Sequence, residues 1–508
     1  MSHFPIATIE AEREQQLKDD AGNSLPGDPS FVLQPLVVDL DGTLTPTDTL
    51  IESIVQVVKR NPMDVLRLPI SMLKGRAAFK EFVASRSNLS AAHLPYRTAL
   101  LDFLRAEKKK GRRVILATAA HRSIADAVAT HLDLFDDVLA SDGAQNLKGA
   151  TKLRAIQDRV GDKFVYVGDN KSDLPIWQSA AAAIPVGVSP RLAEALRHHT
   201  PVEREFPREA ASITTWLRAL RVHQWVKNLL LFVPLLTAFS FLELDKLATL
   251  VVAFFTFCLA ASATYLVNDL CDLESDRAHP RKRHRPFASA QIPIVNGLAV
   301  AAGALGVALV LAVAVSQAFF MVLMVYLALT SLYSWALKEY VLIDVLTLSL
   351  LYTLRILAGS IAVGVTTSSW LLAFSVFIFF SLALVKRCSE LVSLGKIGRD
   401  ATRGRDYRLT DLVVLWPLGV GSALCGVVVF GLFINAAETQ ARYASPQLLW
   451  LVAIGLIYWL SRLWIKSARG EMHDDPLVFA IRDFGSRMTI LAMVTTTLVA
   501  YFITLSKP

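Results

Sequence analysis

The distribution of apolar residues divides this 508-residue chain into two parts that must fold differently. Hydrophobic residues make up 53% of the sequence, and their excess begins near Asn228. From there we count about nine apolar segments close to the roughly 20 residues that an α-helix needs to cross a bilayer. Residues 217–508 are therefore predicted to form an all-α, nine-helix transmembrane bundle. The predicted spans are 228–243, 247–268, 294–315, 317–336, 341–363, 368–386, 410–434, 447–465 and 487–505.

Basic residues cluster in alternate connections between these spans, namely 269–293, Lys338–Glu339, 386–409 and 461–487. Because cytoplasmic loops carry the excess of Lys and Arg, this pattern predicts a cytoplasmic N-terminus and an outer C-terminus. The net charge of +8 is then explained by loops that face anionic lipid, and no nucleic acid partner is predicted. We expect a multi-pass protein of a bacterial inner (plasma) membrane. The four cysteines lack metal-ligand spacing and are predicted to be small structural hydrophobes in or beside apolar segments.

The first 200 residues have ordinary globular composition and predict a separate α/β domain. Residues 1–30 are predicted to be a polar tail, and 201–216 a linker. Three apolar runs predict buried strands, and polar side chains follow each of them. Parallel strands present their reactive groups at one edge of the sheet, so these side chains should share a crevice. They are Asp39 and Asp41 in PLVVDLDGTLT, Thr118 in RVILAT, and Asp169 with Asp173 in KFVYVGDNKSD.

The most specific motif of the membrane part is NDLCDLESD, which places three carboxylates at i, i+3 and i+7. On one continuous helix Asp269, Asp272 and Asp276 would share a face. The basic run that follows supplies further charges, including Arg277, Lys282 and Arg285. Carboxylates beside cations at a membrane surface favour Mg²⁺ and a phosphate-rich substrate. A solvated interfacial loop would explain the basic residues but not the aligned acids, which are costly at such a position.

Three other clusters are predicted to line the same membrane face. Lys227 precedes the first span, and a role as an interfacial anchor competes with phosphate binding there. Arg355 lies inside an apolar run, where an arginine is a functional hypothesis by default. Snorkelling alone could account for Lys386 and Arg387. The remaining candidates in these clusters are Tyr333, Lys338 and Glu390.

The ordered set DLDGT, T, K and GDNxxD resembles the haloacid dehalogenase superfamily of phosphohydrolases over nearly all of residues 31–200. The resemblance implies a Rossmann-like α/β domain with a small helical cap at about 49–95. It also implies that Asp39 is the nucleophile and Asp41 the general acid/base, while Thr118 and Lys152 hold the phosphoryl group. Asp39, the backbone carbonyl of Asp41, Asp169 and Asp173 would bind Mg²⁺. Lys148 is the alternative to Lys152, which we prefer because TKLRAI is typical of a helix start.

The membrane motifs resemble the UbiA superfamily of intramembrane prenyltransferases, over residues 217–508. The resemblance implies that Asn268 and the three aspartates hold Mg²⁺ against a diphosphate. Tyr333 and Lys338 resemble the family's tyrosine–lysine pair, with a spacing one residue longer than usual. Where prenyl-diphosphate users carry a second aspartate cluster, this chain has KRCSEL. Since cations can hold a phosphate without metal, this set favours the branch that transfers phosphoribose to polyprenyl phosphates.

These resemblances together predict a bifunctional enzyme with both active sites in the cytoplasm. Its membrane part would transfer 5-phosphoribose from phosphoribosyl diphosphate to a polyprenyl phosphate, and its front domain would remove the 5-phosphate. Mg²⁺ is expected in both parts, and a homo-oligomer is left open. One alternative is a prenyltransferase that joins a prenyl diphosphate to an aromatic or other acceptor. Another is a membrane-anchored phosphatase whose bundle only docks lipid.

Overall fold

The computed structural model describes residues 34–142, 145–207, 211–396, 398, 405–472 and 475–504. The predicted N-terminal tail and part of the predicted linker lie outside these ranges. Contacts divide the chain into two compact units. The first contains the described residues up to Ala219 together with Asp269–Gly297, and the second contains Leu220–Asn268 together with the described residues from Leu298 onward.

The first unit is built on a five-stranded parallel sheet in the order β3-β2-β1-β4-β5. The central strand is buried along its whole length because neighbours pair with it on both edges. The three predicted strands are present, and the second continues past Thr118 to His121. The strands are β1 (Leu36–Val38), β2 (Val114–His121), β3 (Asp137–Ser141), β4 (Val165–Gly168) and β5 (Ala182–Pro185).

Helices cover the sheet and form the predicted insertion between β1 and β2. The first helix follows Asp48, whose carboxylate accepts from the N–H groups of Leu50 and Ile51 and so caps the helix. It ends before Asn61–Pro62. The insertion is thus helical, as expected. The helices are α1 (Thr49–Arg60), α2 (Arg67–Leu73), α3 (Arg76–Ala84), α4 (Thr98–Lys109), α5 (Arg122–Leu132), α6 (Ala150–Val160), α7 (Leu174–Ser179), α8 (Pro190–His199) and α9 (Ile213–Ala219), with 3₁₀ turns at Pro62–Leu66, Ala91–His93 and Lys171–Asp173.

The second unit is helical, and seven helices among the described residues are long and apolar enough to cross a membrane. The prediction of nine spans is corrected to seven. Their candidate ranges are Leu244–Cys271, Ile294–Val315, Gln317–Trp335, Ile343–Val363, Ser369–Gly395, Leu409–Asn435 and Pro446–Ala468. Each overlaps one predicted span. We label the helices of this region α10 (Val233–Thr237), α11 (Leu244–Cys271), α12 (Leu273–Arg277), α13 (Ile294–Val315), α14 (Gln317–Trp335), α15 (Ile343–Val363), α16 (Ser369–Gly395), α17 (Leu412–Asn435), α18 (Ala437–Arg442), α19 (Leu449–Ala468), α20 (Pro476–Arg482) and α21 (Phe484–Phe502).

The first and last predicted membrane spans are not among these seven helices, for different reasons. Residues 228–243 do not form one helix, because a 3₁₀ segment at Val222–Phe232 gives way to the five-residue α10 with Pro234 in its first turn. The last span is helical as α21, but Arg487 and the run Thr495–Thr497 make it less apolar than the seven. Shorter 3₁₀ turns lie at Lys282–His284, Leu337–Glu339, Leu409–Asp411 and Pro446–Leu448.

Close packing holds the 3₁₀ segment against α15. A Cβ atom built on Gly359 would lie 1.9 Å from the backbone oxygen of Leu231. The two backbones therefore approach more closely than any residue except glycine permits. This contact fixes the segment that carries Lys227.

Candidate phosphohydrolase and transferase sites

Asp39 lies at the carboxyl end of β1 and contacts a buried lysine. Its Oδ2 is 2.8 Å from Nζ of Lys152, whose side chain is only 3% exposed. The same ammonium donates to the hydroxyl of Tyr166 on β4 at 2.8 Å. The structure therefore brings Lys152 to Asp39, whereas Lys148 is exposed. A carboxylate beside a fixed cation suits attack on an anionic phosphoryl group.

Two further carboxylates, from the loop after β4, converge on Asp39. Oxygens of Asp39, Asp169 and Asp173 all lie within 4.8 Å of one another. Thr43 donates to Asp169 at 3.3 Å, and the N–H of Asn170 donates to Asp173 at 3.2 Å. Such an oxygen cluster is the ligand set that Mg²⁺ prefers.

The raised pKa values of two of these acids also favour a bound cation. Burial and the charge of Asp39 raise the pKa of Asp169 to about 7 and that of Asp173 to about 6. Packing three acids together is unfavourable unless a cation neutralises them. The residues present therefore fit a bound Mg²⁺.

Asp41 lies apart from this cluster and is set up for proton transfer. Its Oδ1 accepts the N–H of Thr49, the first residue of α1, at 2.8 Å. Burial, Asp48 and Asp39 raise the pKa of Asp41 to about 7. A carboxyl group with that pKa can both donate and accept a proton near neutrality. The structure does not include the Asp41 side chain in the three-carboxylate cluster.

Thr118 and Lys80, a lysine of the helical cap, also lie at this end of the sheet. Thr118 is fully buried on β2, and its hydroxyl accepts the N–H of Ala120 at 3.0 Å. Lys80 from α3 donates to the carbonyl of Ala119 at 2.5 Å. Sequence reasoning missed Lys80, because the motif pattern does not extend into the cap.

The aspartate segment, defined here as residues 269–277, belongs to the first unit. Asp269 and Asp276 are both buried, and both accept from Nη1 of Arg285, at 3.1 and 2.6 Å. Burial raises the pKa of Asp276 even though Arg285 opposes the shift. The Arg285 guanidinium therefore holds the two carboxylates close to one another.

The expected single helix face for the three aspartates is corrected by the structure. Helix α11 ends at Cys271, and Asp272 is the N-cap of the short α12, with φ −98° and ψ 11°. Asp272 pairs with Lys59 at 2.9 Å, whereas Asp269 and Asp276 pair with Arg285. Asn268 lies on α11, and Lys282 is 3.9 Å from Asp276 with its side chain 48% exposed.

Arg277, predicted to bind substrate, is committed to protein partners. Its two terminal nitrogens donate to the carboxylate of Glu52 at 2.7 and 2.6 Å, and its Nε donates to the carbonyl of Ala288. The side chain is 7% exposed. The Arg277 guanidinium is therefore engaged with Glu52 and Ala288, and its predicted contact with substrate stays a prediction.

In the second unit, two predicted lysines share one carboxylate. Asp475 is 2.8 Å from Nζ of Lys227 and 3.6 Å from Nζ of Lys386. These three side chains and Tyr352 line a cavity of about 30 Å³. The lysines carry more positive charge than Asp475 neutralises, which favours an anionic ligand.

Arg387 is almost completely buried in an ion-pair network. It contacts Asp344 and Glu390, each at 2.5 Å, and donates to the hydroxyl of Tyr333 at 3.3 Å. Tyr407 also donates to Asp344. These contacts explain why a charged group is tolerated here, and they engage Arg387 and Glu390 with other residues of the protein.

Arg355 is likewise occupied inside the bundle. It donates to Asn228 at 2.9 Å, to the carbonyl of Leu351 at 2.6 Å and to Tyr326 at 3.0 Å. Lys338 lies in a 3₁₀ turn and is partly buried. Sequence reasoning missed Asp475, Tyr352 and Tyr407, although an aspartate before Pro476 in a basic loop is a signal that could have been used.

Comparisons with known proteins follow the same division. The chain matches the haloacid dehalogenase-like hydrolase model over residues 36–178 and the UbiA prenyltransferase family model over residues 229–464. "Uncharacterized protein y4nM" of Sinorhizobium fredii is 40% identical over 460 residues, which are 88% of this chain and 87% of that protein.

A second relative matches about half of this chain. Decaprenyl-phosphate phosphoribosyltransferase of Mycolicibacterium smegmatis is 36% identical over 290 residues, which are 55% of this chain and 90% of that protein. Among solved structures, a UbiA homolog from Archaeoglobus fulgidus bound to GPP and Mg²⁺ is 15% identical, with a TM-score of 0.43. That likeness covers 57% of this chain and all of the homolog.

Proposed function

The chain belongs to the UbiA prenyltransferase family and carries a haloacid dehalogenase-like hydrolase domain ahead of it, and on this basis we propose a bifunctional enzyme. Its membrane part transfers 5-phosphoribose from phosphoribosyl diphosphate to a polyprenyl phosphate. Its front domain hydrolyses the 5-phosphate of the lipid product. The observation that carries the second half is the Asp39–Lys152 pair beside the three-carboxylate cluster.

In the hydrolase, Asp39 attacks phosphorus and the sugar oxygen leaves. Asp41 protonates that oxygen and then takes a proton from the water that cleaves the aspartyl-phosphate. Its pKa of about 7 suits both steps. Lys152 neutralises the phosphoryl oxygens, and Thr118 lies at the same end of the sheet.

In the transferase, an oxygen of the lipid phosphate attacks the anomeric carbon of ribose and pyrophosphate leaves. Asp269 and Asp276 would hold the metal, and Lys227 and Lys386 would bind phosphate oxygens. Mg²⁺ bound at either site supplies charge neutralisation for phosphate oxygens. Transfer of this kind needs mainly positioning and charge from the protein. A relative named for this reaction at 36% identity supports the choice of substrates.

The test is to supply purified protein with polyprenyl phosphate and phosphoribosyl diphosphate and to follow the lipids by mass. We expect the wild type to form lipid-linked ribose and Asp39→Asn to accumulate lipid-linked phosphoribose. Asp269→Asn should lose transfer but keep hydrolysis of p-nitrophenyl phosphate. No lipid product from either wild type or Asp39→Asn would refute the transferase assignment.

A second candidate is transfer of a prenyl group from prenyl diphosphate to an aromatic acceptor. The commitment of Arg387 to Asp344 and Glu390 favours it, because that cation is then not a direct phosphate ligand. Formation of a prenylated aromatic acid, without any phosphoribosyl lipid, would establish this alternative.

A further inference from the structure

Helix α1 of the hydrolase domain contacts the aspartate segment through one row of side chains. Glu52, Gln56 and Lys59 are spaced i, i+4 and i+7, so they lie on one face of the helix. Glu52 binds Arg277 at 2.6 and 2.7 Å, and Lys59 binds Asp272 at 2.9 Å. Both partners lie within the first unit of the structure.

The charges of this row on α1 match those of the aspartate segment in only one direction of the segment. Along α1 the order is an acid (Glu52), an amide (Gln56) and a base (Lys59). Their partners in the aspartate segment follow in the opposite chain direction: Arg277, Glu274 and Asp272. Gln56 completes the row with a contact of 3.4 Å to Glu274. Reversing the direction of the segment would oppose like charges at both ends, so the contact is specific.

Burial makes the Glu52–Arg277 pair the strongest part of this contact. Their side chains are 3% and 7% exposed, and the two hydrogen bonds are parallel. Parallel bonds between a guanidinium and a carboxylate fix orientation as well as distance. Breaking such a buried pair leaves an uncompensated charge, so Arg277 cannot move freely while α1 is in place.

Arg277 is adjacent in sequence to Asp276, and Lys59 binds Asp272 itself. The contact therefore restrains two of the three aspartates. The first turn of α1 also donates to Asp41 of the hydrolase site through the N–H of Thr49. A single helix thus contacts Asp41 of the hydrolase site and the segment that carries Asp269 and Asp276.

We propose that Glu52 and Lys59 are positioning residues of the transferase. A helix of the hydrolase domain then holds the aspartate segment of the transferase in place. This inference rests on the proposed transferase function. Neither residue touches substrate. Each acts by holding the aspartate segment in the geometry needed for diphosphate binding. Because a displacement of about 1 Å can cost about 100-fold in rate, loss of this restraint should be visible in transfer.

The experiment compares the full-length wild type with Glu52→Arg, with Arg277→Glu and with the double variant that exchanges the two charges. Glu81→Arg, at an exposed glutamate on α3, is the matched control. Three readouts are taken: phosphoribosyl transfer, hydrolysis of p-nitrophenyl phosphate, and amide hydrogen exchange of residues 269–281.

We expect each single reversal to slow transfer by at least about tenfold and to speed hydrogen exchange. Hydrolysis should stay at the wild-type rate in Glu52→Arg, and the double variant should recover both transfer and exchange protection. Faster exchange without loss of transfer would reduce the contact to a structural one and overturn the inference. Unchanged exchange, or no recovery in the double variant, would also overturn it. A wild type that transfers no phosphoribose would instead refute the proposed function.

Discussion

Gly42 gives a sharp test of the hydrolase site, because a single methyl group there collides with a predicted metal ligand. Gly42 has φ +75°, and a Cβ atom on it would lie 2.1 Å from Oδ2 of Asp169. Ordinary contacts begin near 3.4 Å, so Asp169 must move. The shift is about 1 Å or more, and a displacement of that size costs about 100-fold in rate.

Gly161 provides a matched control. It has φ +87°, yet a Cβ atom on it would meet nothing within 4 Å. Gly161 also has ψ −173°, and alanine in a backbone conformation of this kind costs about 1–3 kcal/mol. We therefore expect both Gly42→Ala and Gly161→Ala to lower the thermal inactivation midpoint, by about 2–12 °C for a domain of this size.

The two variants should differ in catalysis alone. With full-length protein, p-nitrophenyl phosphate and a Mg²⁺ titration, Gly42→Ala should lose about 100-fold in hydrolysis, while Gly161→Ala keeps the wild-type rate below its inactivation temperature. Wild-type hydrolysis by Gly42→Ala would show that Asp169 does not have to occupy its observed place. An equal loss in both variants would trace the defect to backbone strain.

Two further predictions concern buried charges in the same domain. Lys152→Met should lower hydrolysis by at least about 100-fold, because it removes the cation beside Asp39, whereas Lys148→Met should keep the wild-type rate. Arg112→Met should destabilise the domain by about 3 kcal/mol, because it removes the buried partner of Glu203 and one of the two cations beside Glu107, and thermal inactivation measures this loss. Burial alone would raise the pKa of Glu107, but hydrogen bonds from Lys110 and Arg112 outweigh it and lower that pKa. The stabilisation is thus present above pH of about 4.3, and the gap to wild type should shrink as pH falls below that value.

The parts of the structure that follow from local pattern were predictable from sequence. Seven apolar segments became helices near their predicted bounds, because their length and hydropathy are local properties. Asp39 and Asp169 come together because both follow buried parallel strands that pair with the same sheet. The break of α11 at Cys271 was not predictable in this way, since NDLCDLESD has no glycine or proline to mark it.

Contacts between distant parts of the chain were beyond sequence reasoning. Lys227 and Asp475 are 248 residues apart, and Arg277 and Glu52 are 225 apart. No periodicity links such positions, and only the folded backbone selects which acid meets which base. Sequence reasoning therefore identified these cations as candidates for substrate binding but could not predict which acids they contact.

Sorting the cations by their partners changes what the transferase can use. Arg277, Arg355 and Arg387 each make several hydrogen bonds within the protein. Arg355 and Arg387 are buried and the Arg277 side chain is 7% exposed, so removing them should first damage the local structure. Lys282 and Lys386 keep side chains 48% and 32% exposed, and the ion pairs that they form with described residues are longer, at 3.9 and 3.6 Å. Exposed lysines interact as point charges that salt screens, whereas buried arginines are screened much less. If the lysines bind the substrate phosphates, the Michaelis constant for phosphoribosyl diphosphate should rise with ionic strength in the wild type and rise less steeply in Lys282→Met.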